Sequence, residues 1–181
     1  MEEIATAAHV SKQTIYTHFA DKEALFADLV LGNVDRVDAF LADLTRADWE
    51  SEDVSHGLRR IARQYLRFVI RPEVLRLRRL VIAEAGRFPE LARTYFDRVP
   101  ARVYEALESL LVRLGSQGKL QVSDPRAAAH HFVWLLLGEP LDRAMFYGPD
   151  ETPSAADLER MADAAVDVFL AAYGLSKSSP K

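Results

Sequence analysis

Hydrophobic side chains recur along nearly the whole chain at spacings of three and four residues, the period of an α-helix. No segment shows the strict alternation with β-branched enrichment that marks a strand. The pattern therefore predicts an all-α fold. A first short helix carries Ile4, Ala5 and Ala8 on one face, and residues 8–10 make a tight turn. A second short helix starts after Ser11 and turns Ile15 and Phe19 inward, together with Ile4 and Val10. Asp21 is placed to cap a longer helix over residues 21–46, with Leu25, Phe26, Leu29, Val30, Val34, Val37, Leu41 and Leu44 at helical spacing and Gly32-Asn33 as flex points.

After a loop at "ADWESED", the spacing of Leu58, Ile61, Ala62, Tyr65, Leu66 and Val69 predicts a helix from Ser51 or Asp53 to Ile70. Pro72 and Pro89 each open a helix, in the first turn where the missing N–H does no harm. Pro100 falls inside the second of these segments and breaks or kinks it. Beyond it, Val103, Leu107, Leu110, Leu111 and Leu114 form one stripe, and "GSQGKLQVSDP" is a loop with Ser123 or Asp124 as the next cap. Residues 126–147, around "FVWLLL", are apolar on nearly every side, which predicts a helix buried all round and bent at Gly138 and Pro140. A last helix over 155–173 carries Leu158, Met161, Ala162, Ala165, Val166, Phe169 and Tyr173 on one side.

Composition narrows the class. With 181 residues, 49 % of them apolar, the chain can bury a sizeable core. It has no cysteine, which excludes disulfides and thiolate metal sites and suits a cytoplasmic setting. No apolar run reaches the ~20 residues of a membrane span. The net charge of −4 offers no global attraction to nucleic acid, so any DNA contact must come from a local surface.

That surface is at the N-terminus. The two short helices have helix–turn–helix spacing, with small Ala5 at the crossing. Lys12, Gln13, Tyr16 and Thr17 fall on the outward face. Gln13 has the donor–acceptor pair that reads adenine, and Lys12 can bond guanine or neutralise a phosphate. Thr14, Tyr16, Thr17 and His18 can bond phosphates and fix register, and the helix start at Ser11 favours a phosphate. Lys22 is equally suited to a phosphate contact and to helix-start capping.

The stretch "EEIATAAHVSKQTIYTHFADKEALF" resembles the DNA-binding signature of TetR-family transcriptional regulators, through Ile4-Ala5, Val10-Ser11-Lys12, Thr14-Ile15-Tyr16, His18-Phe19 and Lys22 to Phe26. "LRRLVIAEAGRFPELARTYFDRVPARV" is similar to the regulatory half of the AefR-like subgroup. The resemblance implies a helix-turn-helix domain over residues 1–32, a helical ligand-binding and dimerisation domain over 33–174, and a tail at 175–181. It implies a ligand-responsive regulator, most often a repressor, that binds double-stranded operator DNA as a homodimer through its last two helices and is released by a small hydrophobic effector. DNA contacts are then expected from Ser11, Lys12, Gln13, Thr14, Tyr16, Thr17, His18 and Lys22.

Two departures stand out. His9 occupies a turn position where the family has glycine; positive φ is expected there, at a cost of at most ~1 kcal/mol relative to glycine. The family also has a helix ahead of this motif, whereas this chain starts at Met1 in the equivalent of its second helix. Ile4, Ala8, Ile15 and Phe19 are then expected to lose cover, and the alternative function is a dimeric helical interaction protein with impaired DNA binding.

The effector is expected among residues 60–140, where Tyr65, Phe68, Tyr95, Tyr104 and Trp134 offer an aromatic interior and Arg79 a charge. Arg59, Arg60, Arg63, Arg67, Arg71, Arg76, Arg78 and Arg79 form a second basic cluster, read as a solvated face paired with carboxylates, with Arg78 or Arg79 turned inward. The adjacent His130 and His131 point to different helix faces, unlike an i, i+4 metal pair. No phosphate loop, nucleophile elbow or zincin motif is present, so neither an enzyme nor a cofactor is expected.

Overall fold

The computed structural model describes residues 1–32, 37, 38, 41, 42, 49, 51–148 and 151–175. The expected course of the 21–46 helix beyond Gly32, including Asn33, Val34 and Leu44, lies largely outside the described residues, as does most of the tail. Among the described residues no strand is found, residues 37, 38, 41 and 42 are helical, and nine helices lie wholly there. They are α1 Glu2–Ala7, α2 Lys12–His18, α3 Lys22–Leu31, α4 Val54–Val69, α5 Pro72–Glu84, α6 Pro89–Arg98, α7 Pro100–Ser116, α8 Pro125–Tyr147 and α9 Ala155–Tyr173.

Local chemistry sets their starts. Ser11, Asp21, Asp53, Asp124 and Ser154 each accept a hydrogen bond from a backbone N–H in the first turn. Three helices instead open on proline, at Pro72, Pro89 and Pro100. Val99, with φ −120° and ψ −76°, separates α6 from α7, so Pro100 breaks the segment as its chemistry requires.

The core gathers the inner faces of α4, α7, α8 and α9. Leu58, Leu66, Leu107, Leu114, Leu136 and Phe169 are fully enclosed, and Phe132 meets Phe169 edge-on with ring centroids 5.2 Å apart. Val37 and Trp49 join this core. Where α9 ends, Gln121 N–H donates to the Tyr173 carbonyl at 2.8 Å, which ties the α7–α8 connection to the last helix. A second, smaller cluster of Phe26, Leu77, Val81 and Tyr95 joins α3 to α5 and α6.

Two burial expectations need correction. The α8 helix is not buried all round: Trp134 is 52 % exposed and Leu135 43 %. Its partners α4, α5, α7 and α9 leave these two side chains uncovered among the described residues. Ile4 and Val10 are not inward either, at 36 % and 42 % exposure; Ala5 and Ile15 are the buried residues of the helix–turn–helix. Of the four residues expected to lose cover, Ile4 and Ala8 are exposed and Phe19 is half-buried, but Ile15 is buried.

Candidate functional site

The α1–α2 turn depends on one backbone conformation. His9 has φ 54°, in the left-handed region that favours glycine. That turn is closed by Val10 N–H donating to the Ala5 carbonyl at 3.0 Å. The Ser11 hydroxyl then accepts from Thr14 N–H at 3.0 Å and pairs with the Thr14 hydroxyl at 2.8 Å. Both hydroxyls are thus occupied in holding the start of α2. The Thr17 hydroxyl donates back to the Gln13 carbonyl at 3.0 Å.

What remains outward is a polar face. Lys12, Gln13, Tyr16, Thr17 and His18 are all exposed, while Ile15 anchors the opposite side. Lys12 Nζ lies 2.8 Å from Glu2 Oε1 on α1. Each group favours the other's charged form, chiefly through this hydrogen bond: the Glu2 carboxyl is held below its ordinary value and the Lys12 ammonium above its own. Lys22 stands at the start of α3, beside an open apolar groove of about 170 Å³ that Leu25, Phe26, Leu29, Leu80 and Phe88 also line. Residues 1–31 hold two lysines and five carboxylates, a net charge of −3.

The aromatic residues expected to meet an effector are only partly brought together. Tyr65 of α4, Tyr95 of α6 and Tyr104 of α7 all feel the charge of Arg78 on α5. Burial pushes all three hydroxyls above the ordinary tyrosine value, and the Arg78 charge opposes the rise. The Tyr104 ring stacks on His130 of α8, with centroids 4.2 Å apart and planes within 13°. The Trp134 indole also opposes that rise at Tyr104. Tyr104 and His130 also wall an open groove of about 320 Å³ with Phe96 and Ala101.

Phe68 and Arg79 sit apart from this group. The Phe68 ring packs against the main core beneath the Arg71 guanidinium, 5.7 Å from the centroid. Arg79 Nη1 donates to the Met145 carbonyl at 2.6 Å and the Ala144 carbonyl at 3.3 Å, a cation on the last turn of α8. His130 and Phe96 are the residues that sequence reasoning left out of the site, whereas Arg78 is one of the two arginines expected to turn inward.

The other arginines form an antiparallel ladder. Arg59 pairs with Asp167, Arg63 with Asp163 through two bonds of 2.8 and 2.6 Å, and Arg67 with Glu159. Both series advance by four residues, so one face of α4 meets one face of α9. Arg60 pairs with Glu52. An open groove of about 500 Å³ runs along this face, with its charges largely matched. Among the described residues no three His, Asp or Glu side chains converge as a metal site would require, and no helix is long and apolar enough to cross a membrane.

Comparison with known proteins is consistent with both halves. Residues 1–29 match the family of bacterial regulatory proteins named after TetR, and residues 56–175 match the AefR-like transcriptional repressor C-terminal domain. Among solved structures, a TetR-family transcriptional regulator from Mesorhizobium loti MAFF303099 is 40 % identical, with TM-score 0.82, over 96 % of this chain and 86 % of that one. The flavonoid-responsive regulator FrrA is 32 % identical, with TM-score 0.71, over 97 % and 87 %. A TetR transcriptional regulator from Agrobacterium tumefaciens is 25 % identical, with TM-score 0.68, over 96 % and 82 %. No curated protein matches the chain in sequence.

Proposed function

Because the chain belongs to the TetR family of DNA-binding transcriptional regulators, and is not an enzyme, we propose that it is a cytoplasmic repressor released from its operator by an aromatic small molecule. It binds DNA as a homodimer, with α2 of each protomer in successive turns of the major groove. Gln13 reads a base edge, and Lys12, Tyr16, Thr17 and His18 hold the flanking phosphates.

The observation that carries the ligand response is the double membership of Tyr95. It shares the influence of the Arg78 charge with Tyr65 and Tyr104, and it also packs with Leu77 and Val81 against Phe26 of α3. An effector among the tyrosines therefore displaces a residue that the DNA-binding module rests on. Binding favours a state in which the two recognition helices are wrongly spaced, and operator affinity falls by the ratio of effector affinities for the two states. The name of FrrA says that it responds to flavonoids; a flat aromatic effector of that kind suits a cluster of three tyrosines beside a tryptophan. For the dimer, α8 offers exposed Trp134 and Leu135, and α9 exposed Ala164, Val168 and Ala171 at helical spacing. Paired across a two-fold axis, these faces make a four-helix contact.

The test selects bound sequences from a pool of random duplexes and measures affinity for the winner with and without naringenin. Gln13→Ala is expected to relax one base position by about 1–3 kcal/mol. Naringenin is expected to weaken binding, and Leu135→Glu to abolish both dimer and operator binding. A protein that selects no sequence, or whose affinity ignores the flavonoid, overturns the corresponding half of the reading. The second reading, an interaction protein that binds DNA poorly, draws on the net charge of −3 in residues 1–31, and failure to select any sequence would favour it.

A further inference from the structure

The groove between α7 and α8 carries charges of both signs that do not meet. Glu105 and Glu108 line it from α7, and Arg126 lines it from α8. None of the three forms an ion pair among the described residues. The outer face of α4 is the contrast, since Arg59, Arg60, Arg63 and Arg67 each hold a carboxylate of the chain. Glu105 and Glu108 are three residues apart on one helix, neighbours of like charge that repel. Arg126 stands in the first turn of α8, where the helix dipole favours an anion over a cation. An ammonium beside the glutamates and a carboxylate on the guanidinium would relieve both.

The rest of the groove is aromatic, and the helices set its order. Gln121 N–H and the His131 ring both bond Tyr173 at the end of α9, so the short connection brings the end of α7 to the start of α8. The two helices run antiparallel. Glu108 lies one turn after Tyr104, and Arg126 one turn before His130, and the Tyr104 and His130 rings stack at 4.2 Å. The charges of both signs therefore share one end of the groove. The ring stack lies in the middle, and the exposed Phe96 ring lies toward the start of α7. One helical turn is about 5.4 Å, within the reach of an aromatic side chain from its own α-carbon. The volume, about 320 Å³, suits a small molecule of that size.

We propose that this groove binds a free aromatic α-amino acid. Its ammonium sits between Glu105 and Glu108, its carboxylate on the planar fork of Arg126, and its ring against Phe96 and the Tyr104–His130 stack. An aromatic anion meets the glutamates and an aromatic cation meets the arginine; the zwitterion alone satisfies all three charges. The site goes beyond the effector reading and does not rest on it, because of the three tyrosines it uses only Tyr104, as a partner of His130.

The probe is L-phenylalanine, titrated calorimetrically into the full chain near neutral pH. The comparators are hydrocinnamate, which lacks the ammonium, phenethylamine, which lacks the carboxylate, and L-alanine, which lacks the ring. Phenylalanine is expected to bind at least about tenfold more tightly than each, the effect of one charge-assisted contact or one aromatic ring. Arg126→Gln removes the preference over phenethylamine. The double change Glu105→Gln with Glu108→Gln removes the preference over hydrocinnamate. Glu139→Gln, which deletes a charge further along α8, leaves both intact. All these side chains are exposed or half-buried, and thermal melts confirm that each variant folds. No heat of binding from phenylalanine at millimolar concentration overturns the proposal, as does any comparator that matches it. A preference that survives in its own variant, or an equal loss in Glu139→Gln, overturns it too.

Discussion

The DNA-reading module and the helical bundle are built on different terms. Among the described side chains of residues 1–32 the buried apolar ones are Ala5, Ile15 and Phe26, and local hydrogen bonds at His9, Ser11 and Asp21 define the geometry. The bundle buries leucines and aromatics from four long helices, with Trp49 and Leu120 added from the connections between them. The module is therefore specified locally and stabilised from outside, through Phe26. Segments with few buried contacts open at low free energy, and a module that must change its spacing on a signal has reason to be of that kind.

The largest expected effect comes from breaking the joint between the two. Phe26→Ala empties the cluster of Leu77, Val81 and Tyr95 and also removes a ring contact with Phe88 at 5.9 Å. A buried Phe→Ala change costs about 3–5 kcal/mol. Here that loss should fall on the docking of residues 1–32 rather than on the bundle. Hydrogen exchange is expected to rise across α1–α3, and operator affinity to fall steeply, while the main thermal transition moves little. A matching collapse of the whole bundle would show that the two regions are not separate in stability.

A pH titration probes the other side. Tyr65 is buried and its hydroxyl sits above the ordinary value of 10.0, first through burial, then through Tyr104, with Arg78 opposing. The folded pKa exceeds the unfolded one, so stability is full below pH 10.0 and declines as pH rises past it, because the unfolded chain sheds the proton first. One such group gives a slope of about 1.4 kcal/mol per pH unit. Denaturant melts between neutral and strongly alkaline pH should show this decline. Tyr65→Phe should flatten it, leaving the share owed to Tyr95 and Tyr104.

The same contrast explains what was legible in the sequence. Ser11, Asp21, Asp53 and Asp124 announce helix starts because capping involves residues three apart. Pro100 announces a break for an equally local reason. The positive φ at His9 is legible because the turn demands it. What failed to read through depends on neighbours distant in the chain. The exposure of Trp134 and Leu135 follows from which side of α8 the other helices occupy. Arg78 and Arg79 are adjacent and chemically alike, and only the placement of the end of α8 gives Arg79 its two carbonyls. The arginine face was legible as paired, but its ladder with Glu159, Asp163 and Asp167 required the antiparallel approach of α9.

A smaller effect is expected at the turn itself. His9→Gly relieves a left-handed conformation that costs a non-glycine residue up to about 1 kcal/mol, offset in part by the added freedom of the unfolded chain. The gain should appear as slower hydrogen exchange in α1 and α2, with the bundle transition unchanged. An unchanged exchange rate would mean that His9 is not strained.

The smallest effect concerns charge, and it separates the regions once more. On the bundle the arginine ladder pairs ions between two fixed helices. In the module, Lys12 is paired with Glu2 on a surface where both are exposed, so the pair is weak and screened by salt. Its consequence lies in competition: a DNA phosphate must draw Lys12 away from a carboxylate that already holds it. Glu2→Gln removes the competitor and one negative charge from a face that must approach DNA. Operator affinity should rise a few-fold at low salt, and the difference should shrink as salt is added. Because Lys12 would then displace a counter-ion on the DNA without first giving up Glu2, the slope of log affinity against log salt should steepen by up to about one unit. In Lys12→Ala the same Glu2→Gln change should lose most of its effect. An equal gain with and without Lys12 would assign it to general repulsion, and the ion pair would have no part in setting affinity.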